Sequence, residues 1–276
     1  MEHIAVPCPS HPGMLPLTSW RGDRAWVLLA GLLALLFPMA DVRAEDGYDL
    51  WMRYTQADPA RIEDYRARFG DVVAPDATPT QRAARDELRR GLTGLLGNAP
   101  RLHTAPAATR VLVIGTPDSS PWLAPLRQEL ETLGEEGFLL REVRIGGRDA
   151  LVVAGRRDIG VLYGVFHLLR LLQTNASLEK LHVREAPRVK LRVLDHWDNL
   201  DGYVERGYAG GSLWDWHKLP DWQDPRYTDY ARANASIGIN GTVLNNVNAD
   251  ALSLSPLYLR KATALADLFR PYGIRV

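Results

Sequence analysis

The chain has 276 residues, and its 33 Lys and Arg balance its 33 Asp and Glu for a formal net charge of +0. That balance excludes the basic footprint of a nucleic-acid binder or of a protein drawn to an anionic membrane surface, so charge recognition must be local. With 46% hydrophobic and 24% charged residues, there is enough apolar material for the core of one or two globular domains.

Arg21 and Arg24 precede an apolar run from Ala25 to Ala40 that Pro38 breaks near its end. The run is short for a membrane span, which takes roughly 20 apolar residues. Val42-Arg43-Ala44 follows with residues that suit a signal peptidase. Residues 1–44 therefore read as a secretory signal cleaved near Ala44, with an exported mature chain, periplasmic or extracellular, and no stable membrane anchor. An uncleaved anchor is the alternative. Cys8, the only cysteine, falls in that segment. The mature chain then has no thiol for a disulfide, a metal or a nucleophile.

Residues 45–187 read as an N-terminal α/β domain. Asp58-Pro59-Ala60 opens one helix. A second spans about Thr80 to Leu96, with Ala84, Leu88, Leu92 and Leu95 at helical spacing, and stops at Gly97. Arg110 to Gly115 is a short buried strand, and Ser120 to Leu133 an amphipathic helix. Phe138 to Ile145 and Asp149 to Ala154 are strands joined through Gly146-Gly147. Gly155 to Asp158 turns the chain into a helix from about Ile159 to Gln173. Strands alternating with helices predict a sheet with helices packed on it.

Pro187 marks a boundary, because it cannot continue a helix and polar residues surround it. Residues 188–276 form the second region. Leu191 to Leu194 is a strand, and a polar, aromatic loop runs from about Asp195 to Pro225. Tyr227 to Ile237 is helical. Gly241 to Leu244 is a second strand ending in Asn245-Asn246-Val247-Asn248, Leu257 to Tyr272 a helix, and Gly273 to Val276 the start of a third strand. This is the repeat of a parallel α/β barrel, whose active site lies at the C-terminal ends of its strands.

Two such ends are present, at Asp195 to Gly202 and at Asn245 to Asn248. Both are dense in carboxamides and carboxylates, and the first carries Trp197. A hydroxyl-rich ligand needs that mix of donors, acceptors and a flat apolar face. Asp198, Asn245, Asn246 and Asn248 are the polar candidates, although Asn and Asp after a strand also serve as turn formers and helix caps. His196 has no second His or Cys at ligand spacing and reads as a structural histidine, with no metal site. Asn175 and Asn234 match the N-glycosylation pattern. Neither a P-loop nor a Gly-x-Ser-x-Gly elbow is present.

His196-Trp197-Asp198-Asn199-Leu200-Asp201-Gly202, Glu205 to Gly210 and Ser212-Leu213-Trp214 resemble the start of the barrel in glycoside hydrolase family 67, the α-glucuronidases. The resemblance extends through Tyr230 to Gly241 and Asn245 to Ala249. It also takes in Gly47 to Tyr54 and Gly160 to Phe166 upstream, so it covers essentially all of 45–276. It implies a small N-terminal α/β domain, a sheet with packed helices, followed by the first two to three strands of a TIM (β/α)8 barrel, truncated.

The activity implied is inverting release of 4-O-methyl-D-glucuronic acid from glucuronoxylan-derived oligosaccharides, with no metal or organic cofactor. A homodimer of the full-length enzyme is compatible with it. Trp197 matches the tryptophan that packs on the uronic sugar, and Val247 the apolar residue near the 4-O-methyl group. No catalytic residue is assigned, because the resemblance puts the acid and base carboxylates on strands beyond Val276. Gly211 and Tyr203 depart from the family pattern. The alternatives are a non-catalytic sugar-binding or structural fragment, or a β-hexosaminidase-like hydrolase with the same domain order.

Overall fold

In the computed structural model the described residues are 45–106 and 108–276. The segment 1–44 expected to be a secretory signal, Cys8 included, lies outside them. Among the described residues no helix is long and apolar enough to cross a membrane. Residues Asp49–Val276 form one compact unit.

The N-terminal part is built on a six-stranded sheet in the order β2-β1-β3-β5-β4-β6. Its strands are β1 (Asp71–Val73), β2 (Arg101–His103), β3 (Arg110–Gly115), β4 (Phe138–Ile145), β5 (Arg148–Gly155) and β6 (His182–Glu185). β1 pairs parallel with β2 and β3, and β3 parallel with β5, while β4 runs antiparallel to both β5 and β6. β3 is apolar without alternation because both of its faces are covered. Leu112 and Ile114 join the core under α1 (Pro59–Phe69), α2 (Pro79–Leu96) and α4 (Asp158–Gln173). Val111 and Val113 meet Leu123, Leu126 and Leu130 on the other face.

The helix signals are chemical. Thr78 and Gln81 close a capping box at the start of α2, and Gly97 ends it at φ +76°. Gly91 lets α2 and α4 approach closely, since a Cβ there would lie 2.5 Å from Leu169 Cδ2.

Two sequence expectations change. The helix expected over 120–133 is a 3-10 turn, Pro121–Leu126, followed by the short α3, Arg127–Glu131. Pro125 inside it has no N–H to donate, which prevents a continuous α-helix. The strand expected over Leu191 to Leu194 instead runs Val193–Asp198 (β7), so His196, Trp197 and Asp198 belong to a strand and not to a loop.

β7 pairs parallel with β8 (Gly241–Asn245). Arg275 makes an isolated parallel bridge to Gly241 on the far side of β8. α5 (Pro225–Ser236) connects β7 to β8, and α6 (Pro256–Phe269) follows β8. Trp214, Tyr227, Leu244, Leu265, Phe269 and Ile274 form the core of this region. Asn234 is buried and donates through Nδ2 to the Tyr230 carbonyl at 2.8 Å, so its glycosylation pattern sits inside α5.

The two regions are joined by a buried ion pair. Arg232 of α5 grips Glu87 of α2 bidentately, Nε to Oε2 at 2.6 Å and Nη2 to Oε1 at 2.9 Å. Tyr54 donates its hydroxyl to Glu87 Oε1 at 2.6 Å, and Arg232 Nη1 reaches Asp229 at 2.6 Å. The side chains are only 6% and 3% exposed. Deleting one partner of such a pair strands the other charge in the interior. Glu87→Ala is therefore expected to cost about 3–5 kcal/mol in urea denaturation. Glu63→Ala, which breaks an exposed pair with Arg66, should cost under about 1 kcal/mol. Equal effects from the two variants would contradict the buried pair's role.

Candidate functional site

The strand ends of β7 and β8 lie side by side. Their register runs Val193↔Gly241, Leu194↔Thr242 and Asp195↔Val243, then slips so that Asp198 faces Asn245. Two residues of β7, His196 and Trp197, therefore stand against Leu244 alone, which makes a β-bulge. Trp197 adopts φ +54°. That left-handed conformation costs a non-glycine residue about 1–2 kcal/mol.

Hydrogen bonds fasten the bulge from both sides. The Trp197 carbonyl accepts from the Glu205 N–H at 2.9 Å and from Asn246 Nδ2 at 3.4 Å. Asn246 Nδ2 also donates to Asn199 Oδ1 at 2.5 Å, and Asn246 Oδ1 accepts from the Asn248 N–H at 2.6 Å. Asn199 in turn donates to the carbonyls of Tyr203, at 3.1 Å, and Glu205. The bulge puts the Trp197 ring at the surface, 41% exposed. Val247 is 82% exposed, Asn248 is exposed and Asn245 is half-buried.

The expected site residues thus divide. Trp197, Val247 and Asn248 lie open at the adjacent strand ends, with Asn245 half-buried beside them. Asn246 is buried, and its Nδ2 and Oδ1 are engaged within the wall. Asp198 is buried as well. Its Oδ2 accepts from the Ser212 hydroxyl, and its Oδ1 is buried without a partner. Sequence reading overlooked Asn199 and Ser212 as builders of this wall. Asn199 sat in a recognisable turn, whereas Ser212 lies 14 residues from the carboxylate it holds. Tyr203 and Gly211, the two departures from the family pattern, face each other in an antiparallel bridge.

His196 points to the helix side of the sheet. Its Nε2 is 2.7 Å from the Tyr230 hydroxyl, which is 2.9 Å from the Thr242 hydroxyl, and its ring packs edge-on to Trp214. Burial lowers its pKa, with Asp195 acting the other way. These contacts are those of a neutral, packed histidine. Among the described residues no group of three or more His, Cys, Asp or Glu could hold a metal ion.

Of the recesses among the described residues, one adjoins these strand ends and a larger one lies away from them. The first, of about 240 Å³, opens beside β8, lined by Thr242, Val243, Asn245, Leu254, Tyr258 and Val276 among others. The larger, of about 480 Å³, lies on the N-terminal sheet beside Arg68, Arg110, Glu142, Leu178 and Leu181. Its Arg68 is already paired with Asp64 and Glu142.

The fold and the strand-end wall define a two-part α/β chain of a kind found in glycoside hydrolases. One similar solved structure is a family GH115 4-O-methyl-α-glucuronidase with specificity for decorated arabinogalactans. It has a TM-score of 0.52 and 21% identity, over 75% of this chain and 28% of that one. Another is a GH138 enzyme targeting pectin rhamnogalacturonan II, with a TM-score of 0.50 and 17% identity, over 75% of this chain and 30% of that one. These likenesses concern the fold.

Sequence goes further. The chain belongs to glycosyl hydrolase family 67, matching the family's N-terminus over residues 50–168 and its middle domain over residues 171–276. It is 33% identical over 248 residues to a probable alpha-glucuronidase A of Neosartorya fischeri, covering 89% of this chain and 29% of the relative. It is 32% identical over 263 residues to an alpha-glucuronidase of Hypocrea jecorina, covering 91% of this chain and 30% of the relative. The chain thus spans less than a third of the length of the curated relatives it matches.

Burial raises the Asp198 pKa, and the Ser212 hydrogen bond pulls it partly back. A carboxyl whose folded pKa is raised binds its proton more tightly in the folded state, so ionising it costs stability as pH rises out of the carboxylate range. Asp198→Asn removes that cost. The thermal midpoint of the variant relative to the parent should therefore rise between about pH 4 and pH 7. A difference that does not change with pH would contradict an ionising, buried Asp198.

Proposed function

We propose that this chain supplies the N-terminal domain and the first sugar-facing wall of an inverting α-glucuronidase that releases 4-O-methyl-D-glucuronic acid from xylo-oligosaccharides. The observation that carries it is the exposed Trp197 ring, held on a bulge at the C-terminal end of β7 beside exposed Val247. A pyranose presents apolar C–H faces, and a fixed indole offers the matching surface at little entropic cost. The named relatives support the sugar class.

In this reading β7, β8 and the bridge at Arg275 are the first three strands of a parallel (β/α)8 barrel. Parallel strands joined by helices, with a polar rim at their C-terminal ends, support it. Inversion needs one carboxylic acid to protonate the leaving oxygen and a second carboxylate to activate water, about 6.5–9.5 Å apart. Asp198 suits neither role, since it is sealed under the 199–212 loop and held by Ser212. The family resemblance assigns the acid and base to later strands of the barrel. Trp197 and Val247 bind and orient the uronic ring, and Asn245 and Asn248 meet its hydroxyls. An N-terminal secretory signal and export fit a substrate that is a plant-wall oligosaccharide.

Two outcomes follow. The 276-residue polypeptide should not hydrolyse aldouronic acids, and measurable release of 4-O-methylglucuronic acid would overturn the assignment of the carboxylates. In isothermal titration with a xylobiose bearing 4-O-methylglucuronic acid, Trp197→Ala should weaken binding by roughly tenfold, about 1.4 kcal/mol. Unchanged affinity would remove Trp197 from the site.

A further inference from the structure

Glu136 stands in the turn before β4, in the N-terminal part of the chain, yet both of its carboxylate oxygens serve the second region. Oε1 accepts from Asn240 Nδ2 at 2.9 Å, and Oε2 accepts from Arg192 Nη2 at 2.7 Å. Asn240 immediately precedes β8, and Arg192 immediately precedes β7.

These two residues are also joined directly. Asn240 Oδ1 accepts from the Arg192 N–H at 2.8 Å, and the Asn240 N–H donates to the Arg192 carbonyl at 2.9 Å. Asn240 Nδ2 donates as well to the Lys190 carbonyl at 2.8 Å. The Asn240 carbonyl accepts from the Arg275 N–H at 3.1 Å, and Arg192 reaches the carbonyls of Gly238 and of Val189, the latter at 2.6 Å. One carboxylate thus closes a ring of bonds across the starts of β7 and β8, next to the bridge at Arg275.

Register has consequences at the other end. A one-residue slip moves a strand by about 3.3 Å and turns each side chain to the opposite face. β7 already slips against β8 between Asp195 and Asp198, so the pairing there tolerates irregularity. The register has to be set where the ladder is regular, at the start.

We infer that Glu136 is a positioning residue that fixes the register of β7 against β8 from the N-terminal domain and so sets the place of Trp197, roughly 16 Å further along the strand at about 3.3 Å per residue. Its effect on sugar binding rests on the α-glucuronidase reading above; its effect on the strands does not. The N-terminal domain is on this account a jig for the binding wall and not merely a neighbour of it.

Amide hydrogen exchange tests it on the whole chain, using Glu136→Gln and Glu136→Ala. The Gln variant keeps the shape and an acceptor for Asn240 but loses the charge facing Arg192. Exchange at Asn240, Thr242 and Arg275 should accelerate in the order parent, Gln, Ala, by tenfold or more in the last. Val113 in β3 and Val152 in β5 should stay within twofold. Equal acceleration in both regions would reduce Glu136 to a general stabilising contact, and no acceleration would remove its role; either result overturns the proposal. If Glu136→Ala does not fold, the Gln variant carries the same comparison.

Titration with the 4-O-methylglucuronic acid-bearing xylobiose adds the functional arm. The Gln variant should bind severalfold more weakly than the parent. Normal binding alongside loosened strand starts would overturn the link to Trp197. A parent chain that binds no sugar would instead refute the α-glucuronidase reading and leave the exchange result to decide the strand register.

Discussion

The buried grip of Arg232 on Glu87 is the constraint on which the arrangement of the second region depends. Two parallel strands leave an apolar face and open edges unless helices cover them. Here the helix between them, α5, is tied to α2 by a bidentate pair with both partners almost fully out of water. A charge so buried is tolerable only when every hydrogen-bonding valence is met. Tyr54 adds a third hydrogen bond to Glu87, and Asp229 adds a third to Arg232. The cluster is demanding in geometry, and that demand fixes where α5 can lie. With α5 fixed, the sheet of β7 and β8 packs against Tyr227, Phe269 and Trp214 in one way.

On that frame the strand ends accommodate two local costs. Trp197 sits at positive φ, and Asp198 is buried with an unpartnered oxygen. Neither is needed to close the core, and a plain strand with a polar turn would avoid both. Strained backbone and under-satisfied polar groups concentrate where a protein presents a ligand surface. The surrounding amides explain how the strain persists. Asn199, Asn246 and the Glu205 N–H hold the bulge so that the indole faces out. The wall is therefore held in one shape by the protein's own bonds, and a ligand meeting it would find little left to order.

Much of this was legible in the sequence where the cause is local. Asp58-Pro59 and Gly97 mark helix ends by chemistry that acts within four residues. The apolar run of β3 could be read because both faces are buried. The three- and four-residue strands β1, β2 and β6 could not, since they carry no period long enough to see and owe their state to neighbours. β7 was read too short for a related reason. Asp195, His196, Trp197 and Asp198 look like a loop, and only bonds arriving from Glu205 and Asn246 keep them in a strand. The site divided along the same line. The family resemblance marked Trp197 and Val247 as the sugar-facing pair, and both lie open at the strand ends. Which of the Asp and Asn residues face outward depends on the bulge, and nothing in the spacing foretold that Asp198 and Asn246 turn inward.

The central claim is that the outward face of the β7 bulge is a sugar-binding wall. A crystal structure of the protein bound to a xylobiose carrying 4-O-methylglucuronic acid tests it most directly. The account predicts the uronic ring stacked on the Trp197 indole with its methoxy group against Val247. A sugar seated instead in the cleft beside Arg68 and Glu142 on the N-terminal sheet, with Trp197 bare, would contradict it.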